Sequence, residues 1–116
     1  MTATDPTTIA ARYFEVWQAK DLDGYQALLA DDVDFTGPMA TLHGAAECRK
    51  GFEGLAGITT GIDVDKVWAD GPDVVTWFRL RTSVVDEELP VVNWSHVEDG
   101  QITSIKVTFD PRPLMG

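Results

Sequence analysis

The chain has 116 residues, enough for one domain with one modest core. Nineteen acidic residues against nine basic ones give a net charge of −10 and a pI of about 4.3, a field that repels nucleic acid and anionic membrane and argues against both as partners. No apolar run approaches the ~18 residues that span a bilayer, MTATDPTT lacks the basic and apolar regions of a signal peptide, and Cys48, the only cysteine, cannot form an internal disulfide, so a reducing, cytoplasmic setting is expected.

Thr4-Asp5-Pro6 predicts a helix start, with Asp5 as N-cap and Pro6 at the first helical position. The helix should run to about Lys20, with Ile9, Tyr13, Val16 and Trp17 on one face and Ala10 and Phe14 beside it. Asp21 can cap a second helix from Leu22 to about Ala30, whose apolar side is Tyr25, Leu28 and Leu29. A first strand is expected from Val33 to Gly37, with Val33 and Phe35 on one face and Asp34 and Thr36 on the other, ended by Gly37-Pro38. After His43-Gly44, a third helix from Ala45 to Leu55 puts Ala45, Cys48, Phe52 and Leu55 on one side.

From Ile58 onward the pattern is strand. Ile58 to Trp68 places Ile62, Val64 and Trp68 on one face. Val74 to Val85 alternates Val74, Thr76, Phe78 and Leu80 with Val75, Trp77, Arg79 and Arg81, so that Asp63 can face Arg79 across the sheet. Leu89 to Asp110 reads as a hairpin turning at Asp99-Gly100, a dipeptide suited to a two-residue type I′ turn. That turn pairs Glu98 with Gln101, Val97 with Ile102 and His96 with Thr103. One face then holds Val92, Trp94, His96, Thr103, Ile105, Val107 and Phe109. The other holds Asn93, Ser95, Ser104, Lys106 and Thr108, with Val91, Val97 and Ile102 among them. The order ααβαββββ predicts an α+β domain in which three N-terminal helices cover one face of a curved antiparallel sheet. Trp77 on the opposite face suggests a homodimer contact.

This order and several local motifs resemble the NTF2-like superfamily, in particular its SnoaL-like and ketosteroid-isomerase-like branch. The resembling residues are Arg12-Tyr13, Asp21-Leu22-Asp23-Gly24, Leu29-Ala30-Asp31-Asp32-Val33, Pro38, His96-Val97-Glu98-Asp99-Gly100-Gln101-Ile102 and Phe109-Asp110. The resemblance covers nearly the whole chain and implies a cone with an apolar pocket, usually in a dimer. In ketosteroid isomerases a carboxylate before a proline removes a proton, while a helix-one tyrosine and a protonated aspartate hold the oxyanion. Carried over position by position, Tyr13 matches the tyrosine. The base falls on Gly37, the protonated aspartate on Trp94, and a supporting tyrosine on Phe52. With one catalytic group of three kept, and with Asp32 and Asp34 out of phase with the pocket, that mechanism is not expected. The Arg/Asp cluster of limonene-epoxide-hydrolase-like relatives has no counterpart either, because Arg79 and Arg81 fall on the outer face.

His96 and Tyr13 are the polar groups the face assignment leaves for the pocket interior. His96 is the candidate general acid or base and Tyr13 the candidate hydrogen-bond donor, without metal or cofactor. The simpler alternatives are a core histidine and a core tyrosine. Trp17, Phe35, Met39, Phe52, Trp68, Phe78, Trp94, Val107 and Phe109 are the candidate ligand-lining residues, although the tryptophans could equally fill the cone. The histidines lack metal-ligand spacing and no phosphate-binding glycine loop follows a strand. The expected function is binding of a small hydrophobic molecule, with cofactor-independent isomerisation or cyclisation of a carbonyl compound as the reaction class the resemblance implies. The alternative is a non-catalytic binding or dimeric interaction domain with a filled pocket.

Overall fold

In the computed structural model, which describes residues 5–115, helix α1 (Pro6–Ala19) starts where the cap was expected. The Asp5 side chain accepts from the Thr7 hydroxyl and, at 2.9 Å, from the Thr7 backbone N–H, and these bonds, the hydroxyl's first, hold its carboxyl below the usual range. Thr4 and the rest of the leading MTAT lie outside the described residues. Lys20 ends α1 in the left-handed region. Asp21 then caps α2 (Leu22–Ala27) by accepting from Gly24 N–H at 2.9 Å. The remaining elements are β1 (Leu29–Thr36), β2 (Thr41–His43), α3 (Ala45–Ile58), β3 (Thr59–Asp70), β4 (Asp73–Thr82), β5 (Leu89–Glu98), β6 (Gln101–Thr108) and a 3-10 turn at Arg112–Met115.

The six strands form one curved sheet in the order β2-β1-β6-β5-β4-β3, with the helices against one face. The α+β architecture holds, with two differences from the expected order. The three-residue strand β2 pairs with β1 and is too short to show an alternation in the sequence. The sheet is also not wholly antiparallel, because β1 runs parallel to β6. Leu28, Leu29 and Ala30, expected on helix two, instead lead into β1 and are buried.

The core is aromatic at its centre. Phe14, Trp17 and Phe78 meet with ring centroids 4.9 to 6.0 Å apart, an arrangement favoured beyond the area it buries. Trp17 Nε1–H donates to Thr59 Oγ1 at 3.0 Å, and Thr59 in turn donates to the Leu55 carbonyl at 2.7 Å. Helix α1 is thereby tied to the point where α3 hands over to β3.

Two β-bulges decide which side chains face the helices. The hairpin turn forms as expected, with Asp99 and Gly100 at φ 51° and 77°, and Glu98–Gln101 and Val97–Ile102 pair. The register then slips: His96 pairs with Ser104, not Thr103. A bulge of this kind puts one extra residue in one strand and shifts its alternation. Thr103 is the extra residue in β6, so Ile102 and Ile105 are both buried, while the unbroken alternation of β5 turns Leu89, Val91, Asn93, Ser95 and Val97 toward the core. Val92, Trp94 and His96, expected on the covered face, lie on the open one.

A second slip separates Val64 and Lys66 in β3. It pairs Trp68 with Val75 and sends it to the open face, 48% exposed. Asp63 does sit opposite Arg79 in register, yet the ion pairs are diagonal: Arg79 binds Asp65 at 3.1 Å and Glu88 at 3.3 Å, while Arg81 binds Asp63.

Candidate functional site

Between the helices and the sheet lies a cavity of about 300 Å³, the lower end of the range for small-molecule sites. Seven of the residues expected to line it do so: Trp17, Phe35, Met39, Phe52, Phe78, Val107 and Phe109. Trp68 and Trp94 do not: the β3 bulge carries Trp68 to the opposite side of the sheet, and Trp94 lies on the open side of β5, whose alternation is unbroken. The cone is thus not filled by tryptophans, since Trp17 alone of the four lines it. The Gly37–Ala40 turn, closed by Gly37 N–H to the Ala40 carbonyl at 2.9 Å, forms one part of the wall. Leu114 of the C-terminal 3-10 turn forms another.

Tyr13, Tyr25, Asn93 and Cys48 are the polar side chains in this wall. Tyr13 projects from α1 and is buried with Tyr25, ring centroids 5.4 Å apart. Tyr25 stacks on Phe52 at 3.7 Å with the rings nearly parallel. Tyr25 and Asn93 are the polar side chains next to Tyr13 in the wall. Burial pushes the Tyr13 phenol up to about 12, and the neighbouring Tyr25 and Asn93 side chains act against that rise. Burial, and then the neighbouring Tyr13, push Tyr25 up as well. Burial raises the Cys48 thiol to about 11, aided by Glu47 and Asp34, so the thiol stays protonated and a poor nucleophile. Asn93 is 2% exposed, and its carbonyl oxygen accepts from the equally buried Ser95 hydroxyl at 3.0 Å.

Asn93 is the residue the sequence reading missed. Its strand also offers an apolar alternation at Leu89, Val91 and Val97, and two polar residues between them suggested solvent. Asn93 and Ser95 tolerate burial because they bond each other, which removes the penalty for an unpaired polar group. The inward residue of β5 beside Tyr13 is accordingly Asn93, not Trp94. Gly37 and Phe52, at the positions of the missing base and supporting tyrosine, do stand in the cavity wall.

His96 does not join Tyr13. It lies on the open sheet face, where Nδ1 is 2.7 Å from Asp73 Oδ1 and Nε2 is 3.5 Å from Glu98 Oε1. Trp94 Nε1–H donates to the same Asp73 oxygen at 2.8 Å. The hydrogen bond to Asp73 raises the imidazole above its ordinary 6.5, and the bonds from His96 and Trp94 hold Asp73 below 3.8. His43 makes a separate exposed pair with Asp34 at 2.6 Å. No group of three or more potential ligands able to hold a metal ion occurs among the described residues. No helix among them is long and apolar enough to cross a membrane.

A curved sheet wrapped around an apolar cavity under N-terminal helices defines an NTF2-like α+β cone. The chain matches the SnoaL-like domain over residues 10–105 and belongs to that family. Solved structures agree on the fold. An NTF2-like protein of unknown function from Cytophaga hutchinsonii has a TM-score of 0.85 at 22% identity, over 96% of this chain and 95% of that one. An LEH-like epoxide hydrolase from Mycobacterium tuberculosis has a TM-score of 0.79 at 20% identity, over 95% and 86%. A de novo designed protein with a curved β-sheet reaches 0.84 at 18% identity, over 97% and 90%. No curated protein sequence matches the chain.

Proposed function

We propose that this SnoaL-like protein binds a small, neutral, hydrophobic molecule in the cone, in the cytoplasm, with Tyr13 donating a hydrogen bond to the ligand. One observation carries this reading: the cavity wall is apolar apart from Tyr13, Tyr25, Asn93 and Cys48, and among its described residues there is no carboxylate, imidazole, ammonium or guanidinium. Such a site gains from burying apolar surface and has nothing to neutralise a charged ligand. It also lacks a group that would exchange a proton near neutral pH, so the geometry favours binding over acid/base turnover through His96 and Tyr13. The buried free thiol of Cys48 fits a reducing compartment.

Thermal unfolding with 1-tetralone tests the proposal. Saturable stabilisation is expected in the parent protein and a weaker effect in Val107→Phe, whose ring would enter the cavity. No stabilisation in either contradicts it.

A second reading concerns the open sheet face, which we propose pairs with a second copy of the chain. Trp68, Trp77 and Trp94 are 42 to 48% exposed there, around Val75 and Val92. Lys66, Arg79, Arg81 and Lys106, four of the nine basic residues, stand on the same face. Two acidic chains repel least where their acids are locally balanced. Sedimentation of the parent and of Trp77→Ser decides it: a dimer that the substitution dissociates is expected, and a monomeric parent contradicts the reading.

A further inference from the structure

The cavity has a deep end and a mouth. Tyr13, Trp17, Cys48, Phe78 and Asn93 are buried in its wall, whereas Pro38, Met39, Ala40 and Gly51 are exposed and Leu114 is half-buried. The mouth is thus framed by the 37–40 turn, helix α3 and the C-terminal 3-10 turn. The first two are fixed. The 37–40 turn joins paired strands, with Thr36 opposite Thr41, and Gly37 N–H closes it on the Ala40 carbonyl. Gly51 stands in the middle of α3, which Cys48, Phe52 and Ala56 anchor in the core.

The C-terminal turn is held differently, because its hydrogen bonds are all its own. Asp110 Oδ1 accepts from the Arg112 backbone N–H at 3.1 Å and from Arg112 Nε at 2.9 Å, and Asp110 Oδ2 accepts from Arg112 Nη2 at 2.6 Å. Leu114 N–H donates to the Pro111 carbonyl at 3.0 Å. Pro111 and Pro113 have no N–H to give, and their rings fix φ. Among the described residues, no hydrogen bond or ion pair ties residues 110–115 to any other element. The turn is therefore a stiff piece whose hold on the body is apolar, through Leu114 at the cavity.

We propose that this turn is the door of the cavity: it swings as one piece about the backbone between Phe109 and Asp110, and Leu114 is its latch. What the door admits rests on the pocket-binding reading; the door itself does not. Undocking Leu114 breaks no hydrogen bond, whereas moving the 37–40 turn or α3 would break a strand ladder or a helix. Half the burial of a leucine is at stake, so cutting the side chain back to alanine should raise the open population by about fivefold or more.

Two rates test the door, each measured in the parent, Leu114→Ala, Leu114→Met and Met115→Ala. The first needs no ligand. Cys48, the sole cysteine, stands in the wall and is 1% exposed. Its modification by methyl methanethiosulfonate, read by mass, reports how often the cavity opens to a small neutral reagent. Leu114→Ala should react about fivefold or more faster than the parent, and Leu114→Met, which refills the gap, should fall back toward it. Met115 is 71% exposed on the same turn but outside the wall, so Met115→Ala should match the parent. Dilute urea separates the door from global unfolding: the reaction of Leu114→Ala should hardly respond, while reaction through the unfolded chain climbs steeply.

The second rate is the association of 1-tetralone, followed by stopped-flow tryptophan fluorescence. A door makes Leu114→Ala faster by about fivefold in both association and dissociation. A leucine that only touches the ligand speeds dissociation alone, and that result overturns the door. Equal Cys48 and association rates in the parent and Leu114→Ala also overturn it, as does a Cys48 rate in Leu114→Ala that follows urea as global unfolding does; each leaves pocket binding intact. A Cys48 reaction that is faster in Leu114→Ala, with no 1-tetralone bound by any of the proteins, keeps the door and sinks the pocket-binding reading.

Discussion

His96 and Asp73 meet at 2.7 Å on the sheet face turned away from the cavity. The one histidine that composition and position offered to a catalytic reading is thereby placed in a surface cluster with Asp73, Glu98 and Trp94. Its folded-state pKa is raised above 6.5 and that of Asp73 lowered below 3.8. The raised imidazole contributes stability that is present below its unfolded value and lost as pH rises through the folded value. The lowered carboxylate contributes stability that is present above its unfolded value and lost as pH falls through the folded one. The pair therefore stabilises the fold most between the two unfolded values, 3.8 for Asp73 and 6.5 for His96. An NMR titration of the parent and Asp73→Asn checks this: the His96 midpoint should lie above 6.5 in the parent and drop in the variant. A midpoint at or below 6.5 in the parent refutes the ion pair.

The two tyrosines of the chain, Tyr13 and Tyr25, are both buried and both raised above 10. In the unfolded chain they ionise near 10, so above that pH the unfolded state loses protons that the native state keeps, and stability falls. Tyrosinate absorbance is expected to stay absent in the native protein at pH 10.5 and to rise together with alkaline unfolding. A native protein that titrates half of its tyrosine absorbance at pH 10 shows one hydroxyl to be open to solvent.

Phe78 is 1% exposed and sits under the rings of Phe14 and Trp17. Phe78→Ala should cost about 3–5 kcal/mol, the range for deleting a buried aromatic. Trp17→Phe keeps much of the ring but loses the donor to Thr59, and should cost about 1 kcal/mol for the bond beyond its packing loss. Urea titrations of both variants give the comparison. A Trp17→Phe cost equal to that of Phe78→Ala shows that the α1–β3 tie matters more than its hydrogen bond.

His96→Ala tests the separation of the two faces. The variant should bind 1-tetralone as the parent does, because His96 and the cavity lie on opposite sides of the sheet. A loss of binding of tenfold or more, about 1.4 kcal/mol, shows that the surface cluster and the cavity are coupled.

Helix caps, the Asp99-Gly100 turn and the helical face of Tyr13 and Trp17 were legible in the sequence because each depends on residues close in the chain. The faces of β3 and β5 were not. In β3 a single inserted residue reverses the alternation, and no residue type marks that slip between Val64 and Lys66 or the one that inserts Thr103 into β6. In β5 two alternations compete, Val92 and Trp94 against Leu89, Val91 and Val97. Tryptophan outweighed the others in the reading, while the fold buries Asn93 and Ser95 as a bonded pair. That one inversion removed His96 from the cavity and brought Asn93 into it. Most of the apolar lining survived because it comes from α1, α3, β4 and the C-terminal half of β6, whose phases were read correctly.

The most direct test of the central claim is a ¹H–¹⁵N NMR titration of the protein with 1-tetralone, following the four indole N–H groups and the Asn93 side-chain amide. Binding in the cone predicts saturable shifts at Trp17 and at Asn93 Nδ2, with Trp68, Trp77 and Trp94 unmoved. Shifts confined to those three open-face indoles, or none that saturate, contradict a ligand site between the helices and the sheet.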